Sequence, residues 1–365
     1  MMVIPMKKSL IVTTQYVNNY GAVLQAYGMH RFMEKFGWEH EFLNQIPADA
    51  RIFSPLFPVN SNFLYIFLTN IRRLAVYGQL NTRLKRFAEF RSKHLPQTKI
   101  YKSQQEVLSA ALNYDVYITG GDQMFNRSCL NRPVNLLRFG NENATRISYS
   151  TSMGTSEFRD EEKTQFFDAL SNYTELSFRE ESALEFVERA VDVPCRTSID
   201  GSFLIDKNEW NNVAVFDEKK YPSKYILVYE LLPHIDLNKA VSEAKKQLNI
   251  PVIVITTLSK SQCTADFYVR NAGPAEFLGF FANASYVITT SFHGTCFSVI
   301  NEIPFVSLIS KKEKRINKLL NDYHLENHCK LTFDTLPSEA DFSTAKHIVE
   351  KRKAEAAEYL ARYLE

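Results

Sequence analysis

The stretch SYVITTSFHGTCFSVINEIPFVSL, residues 285–308, decides the predicted fold. Its apolar start, Tyr286 to Thr290, predicts a buried strand, the middle predicts a helix, and FVSL predicts a further strand. Gly294 stands where the first strand would turn into the helix. A strand–helix–strand order is typical of parallel sheets covered by helices, so we expect an α/β fold.

Similar units occur on both sides of this stretch. SLIVTT (9–14) predicts a strand and AVLQAYGMHRFMEKF (22–36) a helix. Asn18 or Asn19 can cap that helix, and Gly37 stands where it would end. Further strands are predicted within YDVYITGGDQMF (114–125), TRISYSTSMG (145–154), KYILVYELL (224–232) and IPVIVITT (250–257).

These units predict two Rossmann-like α/β domains facing a central cleft. We place the N-terminal domain at residues 1–195, the C-terminal domain at 196–335, and a C-terminal helix packing on the body at 336–365. Open parallel sheets bind ligands at the carboxyl ends of their strands. With two such domains, the cleft between them is the expected site.

Composition indicates an ordinary globular protein, with 45% hydrophobic residues and a net charge of +2. The five cysteines are scattered and form no C-x-x-C pair, which argues against a disulfide framework or a zinc site and favours a cytoplasmic protein. No apolar run approaches membrane-spanning length. No H-E-x-x-H, G-x-S-x-G or Walker A motif occurs, so we predict no metal site and no cofactor.

Residues 51–102 contain ten Lys and Arg residues against one acid, Glu89. Such a segment in a near-neutral protein is either a solvated basic helix or a surface that faces phosphate or anionic lipid. The membrane interpretation would use Arg72, Arg73, Lys85 and Arg86, with FLYIFLTNIRR (63–73) as a shallow interfacial element. We expect no nucleic-acid partner, because the overall charge is close to neutral.

His293 is the candidate acid of the opening stretch. A helix beginning there would offer backbone N–H groups, from about Thr295 to Phe297, to an anion. Ser291 and Thr295 would add hydroxyl donors, and Gly294 would admit a ligand close to the backbone. An anion beside the imidazole would favour imidazolium and make it a general acid. The alternative is a histidine that only hydrogen-bonds the turn.

Three other predicted strand ends bear polar residues. Arg179 in LSFREE can clamp a carboxylate or phosphate, although an ion pair with Glu180, Glu181 or Asp200 is the better reading of the pattern alone. Asp122 in GGDQMF could act as a base, or bind sugar hydroxyls together with Gln123. Lys311, Lys312 and Arg315 form a basic rim that could reach a phosphate.

Taken in order, the motifs resemble the polysaccharide pyruvyl transferase family of bacterial cell-surface biosynthesis. They are NNYGAVLQAYGMHRFMEKFG (18–37), DVYITGGDQMFN (115–126), ISYSTSMG (147–154), LSFREESALEFV (176–187) and GPAEFLGFFANASYVITTSFHGTCFSVINEIPFVSL (273–308). The resemblance implies a fold similar to GT-B glycosyltransferases. It also implies transfer of pyruvate from phosphoenolpyruvate to a sugar, or to a lipid-linked precursor, as a cyclic ketal.

The resemblance also implies roles for individual residues. His293 corresponds to the catalytic acid, Arg179 to an arginine that holds phosphoenolpyruvate, and Asp122 to an acceptor-side carboxylate. Further donor contacts are then expected from Ser291, Gly294, Thr295, Lys311 and Arg315, and acceptor contacts from Asn18, Asn19, Tyr20 and Gln123. Phosphoenolpyruvate would be a co-substrate, with no cofactor.

Two other functions stay open. A glycosyltransferase of similar architecture would use a nucleotide sugar, whereas a non-catalytic relative would only bind sugar. Some branches of the family have an arginine two places before the histidine, where this chain has Ser291. A lipid-linked acceptor would place the protein at the inner face of the membrane.

Overall fold

A computed structural model describes residues 7–46, 71, 74–154, 157–258, 260–311, 313–337 and 340–365. The chain divides into two compact units, each assembled from separate segments. The first unit comprises Met1–Ala50, Arg91–Ile205 and Val349–Glu365, and the second comprises Arg51–Phe90 and Asp206–Ile348. Most of the predicted interfacial element, including Arg72 and Arg73, lies outside the described residues.

The first unit is built on parallel strands. Four of them form a sheet in the order β2-β1-β3-β4, namely β1 (Ser9–Val12), β2 (His40–Phe42), β3 (Val116–Thr119) and β4 (Thr145–Ser148). A parallel pair, β5 (Leu176–Phe178) and β6 (Cys195–Thr197), continues it through bridges from Ile147 to Glu175 and from Thr151 to Phe178. The carboxyl ends of these strands therefore share one edge.

Helices of the first unit follow these strands. They are α1 (Tyr20–Lys35), α3 (Gln104–Leu108), α4 (Asp160–Leu170) and α5 (Glu181–Glu188). α2 (Tyr77–His94) and α11 (Ser343–Leu364) each contribute residues to both units. Asn19, not Asn18, caps α1, because its side chain accepts from the N–H of Ala22 at 3.3 Å. Gly37, at φ +71°, follows the helix as predicted.

The second unit contains six parallel strands in the order β12-β11-β10-β7-β8-β9. They are β7 (Ile226–Glu230), β8 (Val252–Thr256), β9 (Phe267–Val269), β10 (Tyr286–Thr289), β11 (Phe305–Leu308) and β12 (Cys329–Lys330). Its helices are α6 (Lys207–Asn211), α7 (Leu237–Leu248), α8 (Pro274–Ala282), α9 (Phe292–Asn301) and α10 (Lys314–Asp322). Every residue of β7, β8, β10 and β11 is buried, as expected of strands covered on both faces.

The predicted α/β class with two Rossmann-like units is confirmed by this alternation of parallel strands and helices. Within the described part of the chain, no helix combines the length and the apolarity needed to cross a membrane. Arg86, one of the cations assigned to the membrane interpretation, pairs with Glu276 at 3.0 Å and donates to the carbonyl of Asn271. That contact fixes its side chain within the second unit.

A pair of histidines in the first unit makes stability depend on pH. His30 Nδ1 and His40 Nε2 lie 2.9 Å apart, and His40 Nδ1 lies 2.8 Å from the Trp38 carbonyl. Burial, together with His40, Arg31 and His94, lowers the pKa of His30 from 6.5 to about 4. The unfolded chain therefore binds more protons than the native one between these pH values, so stability falls as the pH falls through this window.

We expect the free energy of unfolding of the first unit to decrease by about 1–2 kcal/mol between pH 7 and pH 4, after partial exposure of His30 is allowed for. A His30→Gln variant should lose most of this dependence. Trp38 fluorescence in a Trp210→Phe background measures it, because each unit contains one of the two tryptophans. Equal slopes in both proteins would show that the pair does not cause the dependence.

Candidate functional site

His293 lies in the first turn of α9, at the carboxyl end of β10 in the second unit. Ser291 caps this helix, since its Oγ accepts from the N–H of Gly294 at 3.4 Å and its own N–H donates to Thr289 Oγ1. His293 as a residue is 9% exposed, and its ring stands perpendicular to that of Phe292, with 5.2 Å between centroids. The sequence predicted this position for His293 correctly.

The helix begins earlier than expected. Its first residue is Phe292, and the N–H of Thr295 already bonds to the Ser291 carbonyl at 3.0 Å. The N-terminal N–H groups therefore belong to the turn around His293, not to Thr295–Phe297 as predicted. The predicted start was too late, because Ser291, and not the glycine, marks the start of the helix as its N-cap.

Thr295 has a structural position. Its Oγ1 bonds to the Ser291 carbonyl at 3.1 Å and to Ser307 Oγ at 2.7 Å, and the residue is completely buried. It ties α9 to β11 and so helps to fix the turn that contains His293. The predicted contact between its hydroxyl and a ligand conflicts with this burial.

Gly294 is required by packing within the unit. A Cβ added there would lie 2.1 Å from Thr289 Oγ1 and 3.0 Å from Tyr229 Cδ1. The glycine thus lets the first turn of α9 pack directly on β10 and β7. The close approach that was predicted for a ligand is made instead by the protein's own strands.

We expect Gly294→Ala to destabilise the second unit by about 1–3 kcal/mol, because the methyl group overpacks the strand. Trp210 fluorescence in a Trp38→Phe background, followed during urea unfolding, measures this. Gly78→Ala is the matched control, since Gly78 is in α2 and nothing lies within 4 Å of an added Cβ. That control should be neutral or slightly stabilising. Equal midpoints for the two variants would contradict the packing argument.

Arg315 lies next to this turn but is bound. Its guanidinium bonds both oxygens of Glu313, at 2.9 and 2.6 Å, and lies 5.5 Å from the centre of the Phe292 ring. Glu313, which no sequence signal identified, neutralises the charge that was assigned to the donor. Lys311 is exposed, and Lys312 lies outside the described residues.

A second set of predicted residues meets at the strand edge of the first unit. Asp122 follows β3 with φ +78°, and Thr14 Oγ1, beyond β1, donates to Asp122 Oδ2. The Asp122 carbonyl accepts from the N–H of Ser152, beyond β4, at 2.7 Å. The carboxylate thus lies where three neighbouring strands end, in a backbone conformation that Asp tolerates better than most residues.

Arg179 follows β5 at the same edge and forms a buried ion pair. Its Nη2 lies 2.8 Å from Asp200 Oδ2, and the two side chains are 4% and 2% exposed. Asp200 Oδ1 accepts from the N–H and the hydroxyl of Ser202 at 2.8 and 2.6 Å. The ion pair favoured by the pattern alone is confirmed, with Asp200 as the partner.

The GGD loop and Arg179 are neighbours. A Cβ added to Gly121 would lie 3.5 Å from Arg179 Nη2 and 2.7 Å from Gln25 Oε1. Gln25, buried in α1, donates to Thr13 Oγ1 at 3.0 Å. The structure therefore places Arg179 beside the loop that contains Asp122, and adds Gln25, which no sequence signal identified.

The predicted acceptor residues have local structural partners. Asn18 Oδ1 accepts from Arg91 Nη1 at 3.1 Å, and burial lowers the pKa of Arg91 to about 10. Asn19 caps α1, Tyr20 is buried in its first turn, and the Gln123 side chain lies against Gly154. Sugar binding by Asn18, Asn19, Tyr20 and Gln123 stays a prediction. Among the described residues, no group of three or more His, Cys, Asp or Glu side chains could hold a metal ion.

Solved structures similar to this chain include a sugar epimerase and a glycosyltransferase. UDP-N-acetylglucosamine 2-epimerase from Rickettsia bellii shares 12% identity, covering 98% of this chain and 99% of that one, with a TM-score of 0.47. Glycosyltransferase SnogD from Streptomyces nogalater shares 10% identity, covering 99% and 100% of the two chains, with a TM-score of 0.45. The comparison with curated proteins gives no match.

The family comparison is more specific. The family model described as "Polysaccharide pyruvyl transferase" matches residues 19–311, a span that begins at the cap of α1 and includes Asp122, Arg179 and His293. This span is 293 of the 365 residues (311 − 19 + 1). The chain belongs to the polysaccharide pyruvyl transferase family.

Proposed function

We propose that the protein transfers the pyruvyl group of phosphoenolpyruvate to a sugar of a cell-surface polysaccharide or its lipid-linked precursor, and so forms a cyclic ketal. The observation that carries the proposal is the position of His293, in the capped first turn of α9 within the span of the family match. A buried imidazole at a helix N-terminus lies where an anionic donor is favoured.

In this reaction, His293 gives its proton to the methylene carbon of phosphoenolpyruvate, which becomes a methyl group. The C2 atom that results has oxocarbenium character, and one sugar hydroxyl attacks it. The C2–O bond to phosphate breaks, and a second hydroxyl closes the ring. Of the two hydroxyl protons, one goes to the base and the other leaves with phosphate. No electrons are gained or lost, so the reaction needs no redox cofactor.

Asp122 is the base that we assign to the first hydroxyl. It follows β3 at the polar edge of the first unit, and the Thr14 hydroxyl bonds to one of its carboxylate oxygens. A carboxylate oriented in this way can accept a proton from a sugar hydroxyl within hydrogen-bond reach. Gln123, Asn18, Asn19 and Tyr20 lie on the same unit and are the acceptor contacts in this proposal.

Arg179 is the donor anchor in this proposal, and its pairing with Asp200 restricts how it can act. The ion pair is buried, so the guanidinium is fixed in one position and its charge is compensated by the carboxylate. A fixed guanidinium offers its planar fork to a carboxylate or phosphate without an orientational cost. Ser291, Lys311 and Arg315 complete the donor assignment, with the charge of Arg315 shared with Glu313.

The test is phosphate release from phosphoenolpyruvate with candidate sugar and lipid-linked acceptors, together with mass analysis of the acceptor. We expect phosphate release only with an acceptor, and an acceptor that has gained one pyruvate less one water. Thermal stabilisation by a nucleotide sugar and not by phosphoenolpyruvate would instead indicate a glycosyltransferase. Stabilisation by a sugar alone, without release, would indicate a non-catalytic relative.

A further inference from the structure

Exposed apolar side chains collect at one edge of the second unit. Leu231, Leu232 and Ile235 follow the carboxyl end of β7, and Leu258 follows that of the neighbouring strand β8. Their exposed fractions are 39%, 50%, 96% and 38%. We call these four residues the apolar edge patch. Exposed apolar side chains gathered at the ends of neighbouring strands are a candidate interaction site on a folded protein.

The backbone that presents the patch is held in place. The N–H groups of Leu231 and Leu232 both donate to Thr290 Oγ1, at 3.1 and 3.0 Å. Thr290 directly precedes the cap of α9, so the patch is fixed to the same turn that contains His293. The exposed leucines thus belong to a loop whose backbone is held by hydrogen bonds.

His234 fixes the other side of this loop. Its N–H donates to Gln262 Oε1 at 3.1 Å, and the Gln262 N–H donates to the buried carboxylate of Glu230 at 2.7 Å. Its Nε2 lies 3.3 Å from the Ile309 carbonyl, beyond β11. Four consecutive parts of the sheet edge therefore support a loop whose outermost side chain, Ile235, is almost completely exposed.

Two exposed lysines lie on segments that neighbour the patch. Lys260 and Lys311 are exposed, and each lies two residues from a partner of His234, namely Gln262 and Ile309. The acids on these segments point inwards or are bound, since Glu230 is buried and Asp236 accepts from the N–H of Phe333 at 2.9 Å. Apolar side chains beside exposed lysines are the combination that binds anionic lipid interfaces.

We propose that the apolar edge patch inserts into the surface of an anionic lipid bilayer, with Lys260 and Lys311 contacting the headgroups. The 96% exposure of Ile235 favours insertion over a groove, because a side chain that lines a groove is partly covered. A symmetric contact between two copies is less favourable, since it would bring the lysines of both copies together. Lys311 is shared with the donor assignment above, whereas the four residues of the apolar edge patch have no role in the proposed reaction.

Vesicle co-sedimentation of the full chain tests this. We expect binding to phosphatidylcholine vesicles that contain phosphatidylglycerol, and weaker binding as salt rises. Leu232→Ser/Ile235→Ser should lower the partition coefficient at least about tenfold. Lys260→Glu/Lys311→Glu should lower it and remove most of the salt dependence. Val215→Ser, at another position of the second unit that is 53% exposed, is the matched control and should bind like the unchanged protein.

Three outcomes would overturn the proposal. The first is no binding by the unchanged protein, and the second is unaltered binding by the Leu232/Ile235 variant. The third is a dimer in gel filtration that this variant converts to a monomer without any vesicle binding, which would make a second copy the partner. Lys99→Glu/Lys102→Glu tests the basic segment separately, and a loss confined to that variant would assign lipid binding to residues 51–102. Unchanged thermal midpoints would show that the variants are folded.

Discussion

His293→Gln should lower phosphoenolpyruvate-dependent phosphate release by about a hundred- to ten-thousand-fold, the usual contribution of a positioned acid. Glutamine has a similar size and can still hydrogen-bond, but it has no proton to give to the methylene carbon. The loss should appear in kcat with little change in KM, since the donor contacts remain. Single-turnover phosphate release at saturating phosphoenolpyruvate measures the chemical step directly.

The control for this variant is His347→Gln, an exposed histidine of the second unit. It should release phosphate at the unchanged rate. Trp210 fluorescence should give the same urea midpoint for both variants, because Trp210 packs against Phe297 of α9 at 5.1 Å and would report a disturbed helix. Full activity of His293→Gln would remove the imidazole from the mechanism, whereas a shifted midpoint would show a structural role instead.

The strand–helix pattern was readable from the sequence because buried parallel strands are short apolar runs with helices between them. The start of α9 was misplaced by the weight given to Gly294. Serine is a preferred N-cap, so Ser291 was the better signal for the helix start. Glycine is needed at position 294 because of its close contact with Thr289, and only the folded structure shows that contact.

The sequence pattern could not identify which side chains distant in sequence pair with each other in the fold. For Arg179 the pattern left Glu180, Glu181 and Asp200 as candidate partners, and the structure selects the most distant of them, Asp200, beyond the following strand β6. Glu313 was overlooked beside Arg315 because the lysines there suggested an exposed rim. The association of Val349–Glu365 with the first unit depends on contacts such as Tyr359 with the Ser148 carbonyl, which local periodicity does not encode.

Because Asp200 forms a buried ion pair with Arg179, its substitution should lower the stability of the first unit more than most substitutions there. Asp200→Asn keeps an oxygen for the Ser202 hydrogen bonds but removes the charge that faces the guanidinium. Breaking a buried ion pair on one side costs about 3–5 kcal/mol, because the remaining charge stays in a poorly solvated position. Urea unfolding followed by Trp38 fluorescence, in a Trp210→Phe background, measures the loss in this unit alone.

Two further variants show whether the pair is the cause. Arg179→Met/Asp200→Asn should recover much of the lost stability, because both side chains are then neutral and no unpaired charge stays buried. Asp160→Asn removes the carboxylate of an exposed ion pair with Lys163 in the same unit and should cost far less, because water screens that pair. If the double variant were as unstable as the sum of Arg179→Met and Asp200→Asn, the two side chains would be energetically independent, and Asp200 would have no part in holding the guanidinium that we assign to the donor.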